Sequence, residues 1–335
     1  MKSDYAFIVG ATKTYIPELC ALLNSLDYVG NIQDVYVLGI ELDSDFVNQF
    51  DKLNYKVILH DINEQEWQEA HGKSEVVCRK RYYFADEIGK DYKAICVLDA
   101  DMIFTRNPIL FFEIAEKTGL VLGASKEQNQ KYDDPHHQFK GEWIIPKGTC
   151  PESDLCNCPL FVDTKIWGKA LRESFTIFID GFNEMKGDNF RGADMAAMNI
   201  MLLKYGSADK TIAMPNIQWI ASNEEALKPY MRAITDRGKI KTECGIPIFS
   251  YHGHWGHIKW RENQLANRHH CASTYLKAIK SPEVQEHLDS QAKGSLNLLY
   301  ENFKKMFHYK IKITPNNYRH PENADYKEEY GDLWD

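Results

Sequence analysis

The chain has 335 residues, 44% of them hydrophobic and 26% charged, with a formal net charge of −8. That is enough apolar material for one large core, or one core with an appendage, and the acidic balance excludes a general polyanion-binding surface though not a local basic groove. No apolar run reaches the length of a bilayer span, and the first residues, MKSDYAFIVGATKTY, lack the apolar core and cleavage site of a signal peptide.

The first half alternates. Tyr5–Gly10 reads as a strand, and Pro17–Leu26 as a helix with proline in its first turn. Asp34–Leu38 (DVYVL) is a second strand, followed by a helix over Ser44–Leu53. Lys56–Leu59 (KVIL) is a third strand, Glu75–Ile88 a helix, and Ala94–Leu98 a fourth strand. Strands that alternate with helices predict an α/β fold, a mostly parallel sheet covered on both faces. Ligands in such sheets gather beyond the carboxyl ends of the strands.

The middle changes character. Ser125–Asp154 holds KEQNQKYDDPHHQFKGEW and few apolar residues, which predicts a long surface loop or lid. Regular structure resumes at Pro159–Val162 (strand), Thr164–Phe178 and Gly192–Tyr205 (helices), and Pro247–Tyr251 (strand). Arg261–Phe307 reads as helical, and an acidic, irregular tail follows. This organisation predicts a catalytic domain over 1–260 and a helical C-terminal extension over 261–335.

Eight cysteines lie scattered along the chain, with Cys20, Cys78 and Cys96 inside apolar segments. They predict buried thiols and, with no signal peptide, a reducing, cytoplasmic setting. CPESDLCNC (Cys150–Cys158) and the histidine pairs at 136–137 and 269–270 match none of the paired spacings of structural zinc sites, so zinc is not expected there.

Two motifs carry chemistry. In ICVLDADMIF (Ile95–Phe104), Asp99 and Asp101 flank Ala100 at the end of an apolar strand. Two carboxylates this close repel each other and resist desolvation, and a divalent cation relieves both costs. Magnesium or manganese favours such oxygens and shares its sites with substrate phosphates. Helix capping or a turn is the plain alternative for aspartate here. A phosphotransferase using Asp99 as nucleophile is a rival, although its DxDx[TV] pattern meets Ile103. The second motif is YHGHWGHIKWR (Tyr251–Arg261), which also leaves the end of a strand. Imidazole is a common ligand beside carboxylates, Gly253 and Gly256 allow close backbone approach, and Lys259 is a point charge suited to phosphate.

The two motifs, in this order, resemble the retaining glycosyltransferases of family 8, the group of glycogenin, galactinol synthase and the bacterial lipooligosaccharide galactosyltransferases. LDAD matches that family's metal motif. His254, Gly256, Lys259 and Trp260 match its closing histidine–glycine–lysine–proline–tryptophan motif, without the proline. The resemblance covers roughly Tyr5 to Trp260. It implies a GT-A fold and transfer of a sugar from a nucleotide-diphosphate donor, with a UDP-sugar expected, to an acceptor hydroxyl with retention. Asp99, Asp101 and His254 would hold Mn2+ or Mg2+.

Further positions follow the family order. The helix before the metal strand carries Arg81, which shares a face with Val77, Phe84 and Ile88; an arginine on an apolar stripe needs an anionic partner. NCPLFVDTKIW supplies Asn157 and Trp167, with Pro159 where the family has glycine. GADMAAMN supplies Asp194 at a helix start, near the anomeric carbon as nucleophile or charge stabiliser, with Met195 where the family has glutamine. MPNIQW (Met214–Trp219) resembles the family's leucine–proline–tryptophan–asparagine segment. GATKTY resembles the loop that holds uracil, so Tyr15 would stack on the base while Ala11 and Thr12 contact it through backbone or hydroxyl. The acceptor is expected to be a glycan, a lipid-linked glycan, a protein or another hydroxyl. The acidic balance argues against nucleic acid. The exchange of glutamine for Met195 leaves a non-catalytic nucleotide-sugar or glycan-binding protein as the other alternative.

Overall fold

The computed structural model describes residues 3–69, 79–104, 106–125, 155–184, 197–198, 201, 205, 211–213, 219–220, 234–236, 239–241, 250–252, 306 and 309–313. In chain order these form β1 (Tyr5–Thr12), α1 (Ile16–Tyr28), β2 (Asp34–Ile40), a single turn α2 (Ser44–Val47), β3 (Val57–Asp61) and α3 (Glu64–Glu69). Then come α4 (Arg81–Gly89), β4 (Ala94–Asp99), β5 (Met102–Phe104), α5 (Ile109–Thr118), β6 (Val121–Ser125), β7 (Leu155–Val162) and α6 (Thr164–Glu184). Five short strands follow: β8 (Thr211–Ala213), β9 (Trp219–Ile220), β10 (Ile234–Asp236), β11 (Lys239–Lys241) and β12 (Ser250–His252).

Seven strands make the main sheet in the order β3-β2-β1-β4-β7-β6-β8. β1 to β4 are mutually parallel, while β7 runs antiparallel to both β4 and β6. The alternating strands and helices of the first half therefore build the expected mostly parallel sheet, with β7 as its reversed member. The chain extends the sheet from β1 through β2 to β3, then returns to add β4 on the other side of β1. That reversal makes the β1/β4 boundary the topological switch point, and open α/β sheets bind ligands in the crevice beyond the strand ends at such a point.

The central strands β1 and β4 are almost wholly apolar because both faces are covered. Successive side chains of a strand point to opposite faces. Tyr5, Phe7, Val9 and Ala11 of β1 and Cys96 and Leu98 of β4 enter one core, packed with Leu19, Leu22, Leu23 and Leu26 of α1 and Phe111 and Phe112 of α5. Ala6 and Ile8 of β1 and Ile95 and Val97 of β4 enter the other, packed with Tyr82 and Ala85 of α4 and Trp167, Leu171 and Phe178 of α6. Trp167 also donates from Nε1 to the carbonyl of Gly119 at 2.8 Å, which ties the start of α6 to the left-handed cap of α5.

Ser44–Leu53 is expected to be one helix, but only one turn forms, followed by a 3-10 turn at Phe50–Lys52. Asp43 caps the first turn by accepting from the Phe46 N–H at 3.1 Å. Between the two turns Gln49 meets a distant segment: its Nε2 donates to the carbonyl of Lys312 at 2.9 Å and its Oε1 accepts from the N–H of the same residue at 3.0 Å. Ile311 and Ile313 are buried in the same core as β1 and α1, so chain near the C-terminus packs back onto the N-terminal half. Among the described residues, no helix is long and apolar enough to cross a membrane. Of the expected loop over Ser125–Asp154, Ser125 instead closes β6 by pairing with Leu155, while 126–154 and most of the helical extension over 261–335 lie outside the described residues.

Candidate active site at the sheet switch point

Each residue expected near a donor, where described, sits at the carboxyl edge of β1 or β4 or on the helix that precedes β4. β1 and β4 run in register with Gly10 beside Asp99, so Ala11 and Thr12 emerge next to the LDAD motif. The Ala11 methyl is buried in the core, which leaves only its backbone for contact. Thr12 is buried and shares a hydrogen bond with Thr14 between their hydroxyls at 2.6 Å. The chain then makes a 3-10 turn, Lys13–Tyr15, before α1 begins. Tyr15, 43% exposed, stands at this turn as an aromatic surface at the crevice mouth.

The aspartate motif is held from two sides, by α4 and by β7. Arg81, at the first position of α4 and only 2% exposed, forms an ion pair from Nη1 to Oδ1 of Asp99. Its anionic partner is therefore Asp99 of the LDAD motif, as an arginine on a buried face requires. The N–H of Asp99 donates to Sγ of Cys158 at 2.6 Å, and the Cys158 thiol donates to Sδ of Met102 at 3.2 Å. Cys158 is fully buried and lies on β7, the strand that runs back past the end of β4. Asn157 precedes it on the same strand, so its backbone enters the site region; its side chain lies outside the described residues. Ala100 and Asp101 form the turn into β5, and both are buried.

The second motif approaches from a separate sheet. β12 pairs antiparallel with β5, matching Ser250 to Phe104, Tyr251 to Ile103 and His252 to Met102. The chain thus leaves β12 beside the residue that follows Asp101, with β9 on the outer side of β12. His254, Gly256, Lys259 and Trp260 lie outside the described residues, as do Asp194 and Met195, the cysteines at 78 and 150, and both histidine pairs. Among the described residues, no group of three histidine, cysteine or acidic side chains is arranged to hold a metal. The donor chemistry nonetheless fits a hard divalent cation: two carboxylates one residue apart at a strand end, in a crevice. Asp99 and Asp101 would supply the oxygens, and Arg81 would keep Asp99 aimed.

Reasoning from the sequence missed two features. One is Cys158, whose role follows only from β7 lying against β4. The other is Glu41, the residue after β2. It holds a left-handed backbone, φ 52°, and its Oε2 meets Nζ of Lys13 at 2.6 Å. The last register pair of β1 and β2 is Thr12 with Ile40, so this ion pair bridges the next residues of both strands at the crevice edge.

The fold is similar to that of the galactosyltransferase LgtC in complex with donor and acceptor sugar analogs: TM-score 0.51 and 13% identity, over 84% of this chain and 99% of that one. It is thus of the GT-A type, which matches at the level of the fold the resemblance carried by the motifs. An active-site mutant of LgtC (TM-score 0.48, 14% identity, 74% of this chain and 86% of that one) also matches. So does the apo form of mouse xyloside xylosyltransferase 1 (0.46, 11%, 76% and 98%). No family model matches the chain, and no curated protein matches it.

Proposed function

We propose that the protein is a metal-dependent glycosyltransferase that moves a sugar from a UDP-sugar to an acceptor hydroxyl with retention at the anomeric carbon. The observation that carries this reading is the antiparallel pairing of β12 with β5. Two motifs about 150 residues apart meet at one end of the fold, where His252 lies beside Met102. His254 follows β12 by two residues, a stretch of at most about 7 Å, and in this reading it joins Asp99 and Asp101 as the third metal ligand.

The bound cation, Mn2+ or Mg2+, supplies electrostatic stabilisation of the leaving diphosphate. The chain's own groups do the rest. Arg81 fixes Asp99 from a dry position, which removes the orientation cost at the moment of reaction. Lys259 adds positive charge toward the diphosphate, Gly256 lets the backbone approach it, and Tyr15 with Thr12 and the Ala11 backbone receives the nucleoside. Asp194 serves the anomeric carbon as nucleophile or charge stabiliser, and Asn157 is the other catalytic residue of this reading. The similarity of fold to a galactosyltransferase crystallised with donor and acceptor sugar analogs supports this reading.

The test is a panel of nucleotide sugars read by UDP release, with manganese and with chelator. One donor should turn over only with the metal, and Asp101→Asn should abolish that turnover while the protein keeps its far-ultraviolet spectrum. Full turnover in chelator, or in Asp101→Asn, rules out the metal site. A donor that binds with manganese yet never releases UDP, with any acceptor tried, selects the binding-protein alternative.

A further inference from the structure

The ion pair between Lys13 and Glu41 has no evident purpose in folding. Both side chains are exposed, 40% and 67%, and exposed ion pairs add little to stability. Glu41 moreover adopts a left-handed backbone, which glutamate disfavours and glycine would not. Such strain persists where the surrounding structure and a function hold it. Its location suggests the function. β4 carries the metal motif, β1 the Thr12–Tyr15 loop, and β2 ends at Glu41. Neighbouring strands lie about 4.8 Å apart, so the ends of β4 and β2 are separated by about 10 Å. A nucleoside diphosphate anchored by its phosphates at β4 is long enough to bridge that span.

We propose that Lys13 and Glu41 together read the edge of the donor's base, the carboxylate accepting from a ring N–H and the ammonium donating to the adjacent carbonyl oxygen. This rests on the nucleotide-sugar reading of the site. Uracil offers that edge, with N3–H beside O4. Cytosine has the same size and stacks equally well on Tyr15, but it offers an acceptor at N3 and a donor at N4. An acceptor held next to a donor therefore favours the keto pyrimidine. The ion pair itself keeps the two groups side by side, so neither must be ordered when the nucleotide arrives.

The experiment is calorimetric titration of the full chain with UDP and with CDP, each with manganese. The wild-type protein should bind UDP about tenfold or more tightly than CDP, the scale of discrimination that a paired hydrogen-bonding contact to a base edge supplies. Glu41→Gln, whose amide serves either edge, should bring the two affinities within about threefold of each other. Lys13→Met should weaken UDP more than CDP. Glu41→Gly removes the carboxylate but accepts the left-handed backbone, so it should melt no lower than the wild type and still lose the preference. Retention of the full UDP preference in Glu41→Gln and Glu41→Gly overturns the inference. So does an equal loss for both nucleotides, which would mean that the pair only shapes the turn. Those failures leave the metal site standing, whereas a wild-type protein that binds no nucleoside diphosphate in the presence of manganese sinks the site reading along with the inference.

Discussion

Arg81 answers two opposed demands. Its guanidinium is almost wholly removed from water, so it needs an anion, and Asp99, 28% exposed at the side chain, supplies one. A divalent cation on the same carboxylate would be repelled by Arg81, so the arginine sets the orientation of Asp99 at some cost in metal affinity. Arg81→Met keeps the volume and removes the charge. Because Asp99 retains partial access to water, the loss should be about 1–3 kcal/mol in metal-free protein, below the cost of stranding a fully buried charge. Manganese should then narrow the difference in melting temperature between variant and wild type, since the ion supplies the variant's Asp99 with its missing positive partner. An unchanged difference at saturating manganese would mean that Asp99 is not a ligand. The residues Asp99, Asp101 and Arg81 were legible because a pair of carboxylates ending an apolar run, and a charge on an apolar stripe, are local patterns. Their direct contact was not, since it depends on how α4 lies against β4. Cys158 and Glu41 were illegible for the same reason: strand order makes them neighbours of the motif.

At the level of elements, the strands were the clearest part of the sequence. Burial on both faces makes β1 and β4 nearly continuous apolar runs, and β1 to β4 match the expected strands to within two residues at either end, whereas β7 starts four residues before the expected Pro159 and β6 and the short strands β8 to β11 were not foreseen. Met102–Phe104 was lost in the apolar run around the aspartates, and its strand character comes from pairing with β12. Ile109–Thr118 had its own signals, with Asn107 accepting from the Ile109 N–H at 3.0 Å before it and Gly119 in the left-handed region after it. The helix pair α4/α6 rests on a close approach that no periodicity reports. A methyl group added at Gly89 would come within 2.6 Å of Cβ of Thr164 and still nearer to its hydroxyl and methyl. Helix propensity alone favours Gly89→Ala by about 1 kcal/mol. Here the contact includes Cβ, which no rotamer change moves away, so the helices must separate. Gly89→Ala should therefore destabilise the protein by about 1–3 kcal/mol, read as a lower denaturant midpoint at unchanged slope. A variant as stable as the wild type would show that α4 and α6 can part without loss.

At the scale of the whole molecule, α1 is joined to a segment around Ile311. Asn24 on α1 is fully buried, and all of its amide is engaged by a segment nearly three hundred residues later. Its Nδ2 donates to the carbonyl of Ile311 at 2.8 Å and to that of Met306, and its Oδ1 accepts from the N–H groups of Ile311 at 3.0 Å and Lys310 at 3.2 Å. Nζ of Lys310 reaches the buried Asp27 at 2.9 Å, and Tyr309 packs edge-on against Tyr28. A buried asparagine on an apolar helix face is a polar group with a cost, and these bonds offset it. Nothing near Asn24 in sequence announces its partner, which is why the return of residues 309–313 to α1 was not legible. Asn24→Ala deprives buried backbone groups of their partners at once, so it should cost about 2–4 kcal/mol. Gln49→Ala breaks bonds to the same strap at an exposed position and should cost about 0.5 kcal/mol or less. Hydrogen exchange of the amides of Lys310 and Ile311 separates the two. In Asn24→Ala these amides should exchange faster than the strands of the main sheet, because the strap opens before the core does. If they stay as slow as the sheet, Ile311 and Ile313 hold the strap by apolar burial alone, and the amide of Asn24 is only accommodated beneath it.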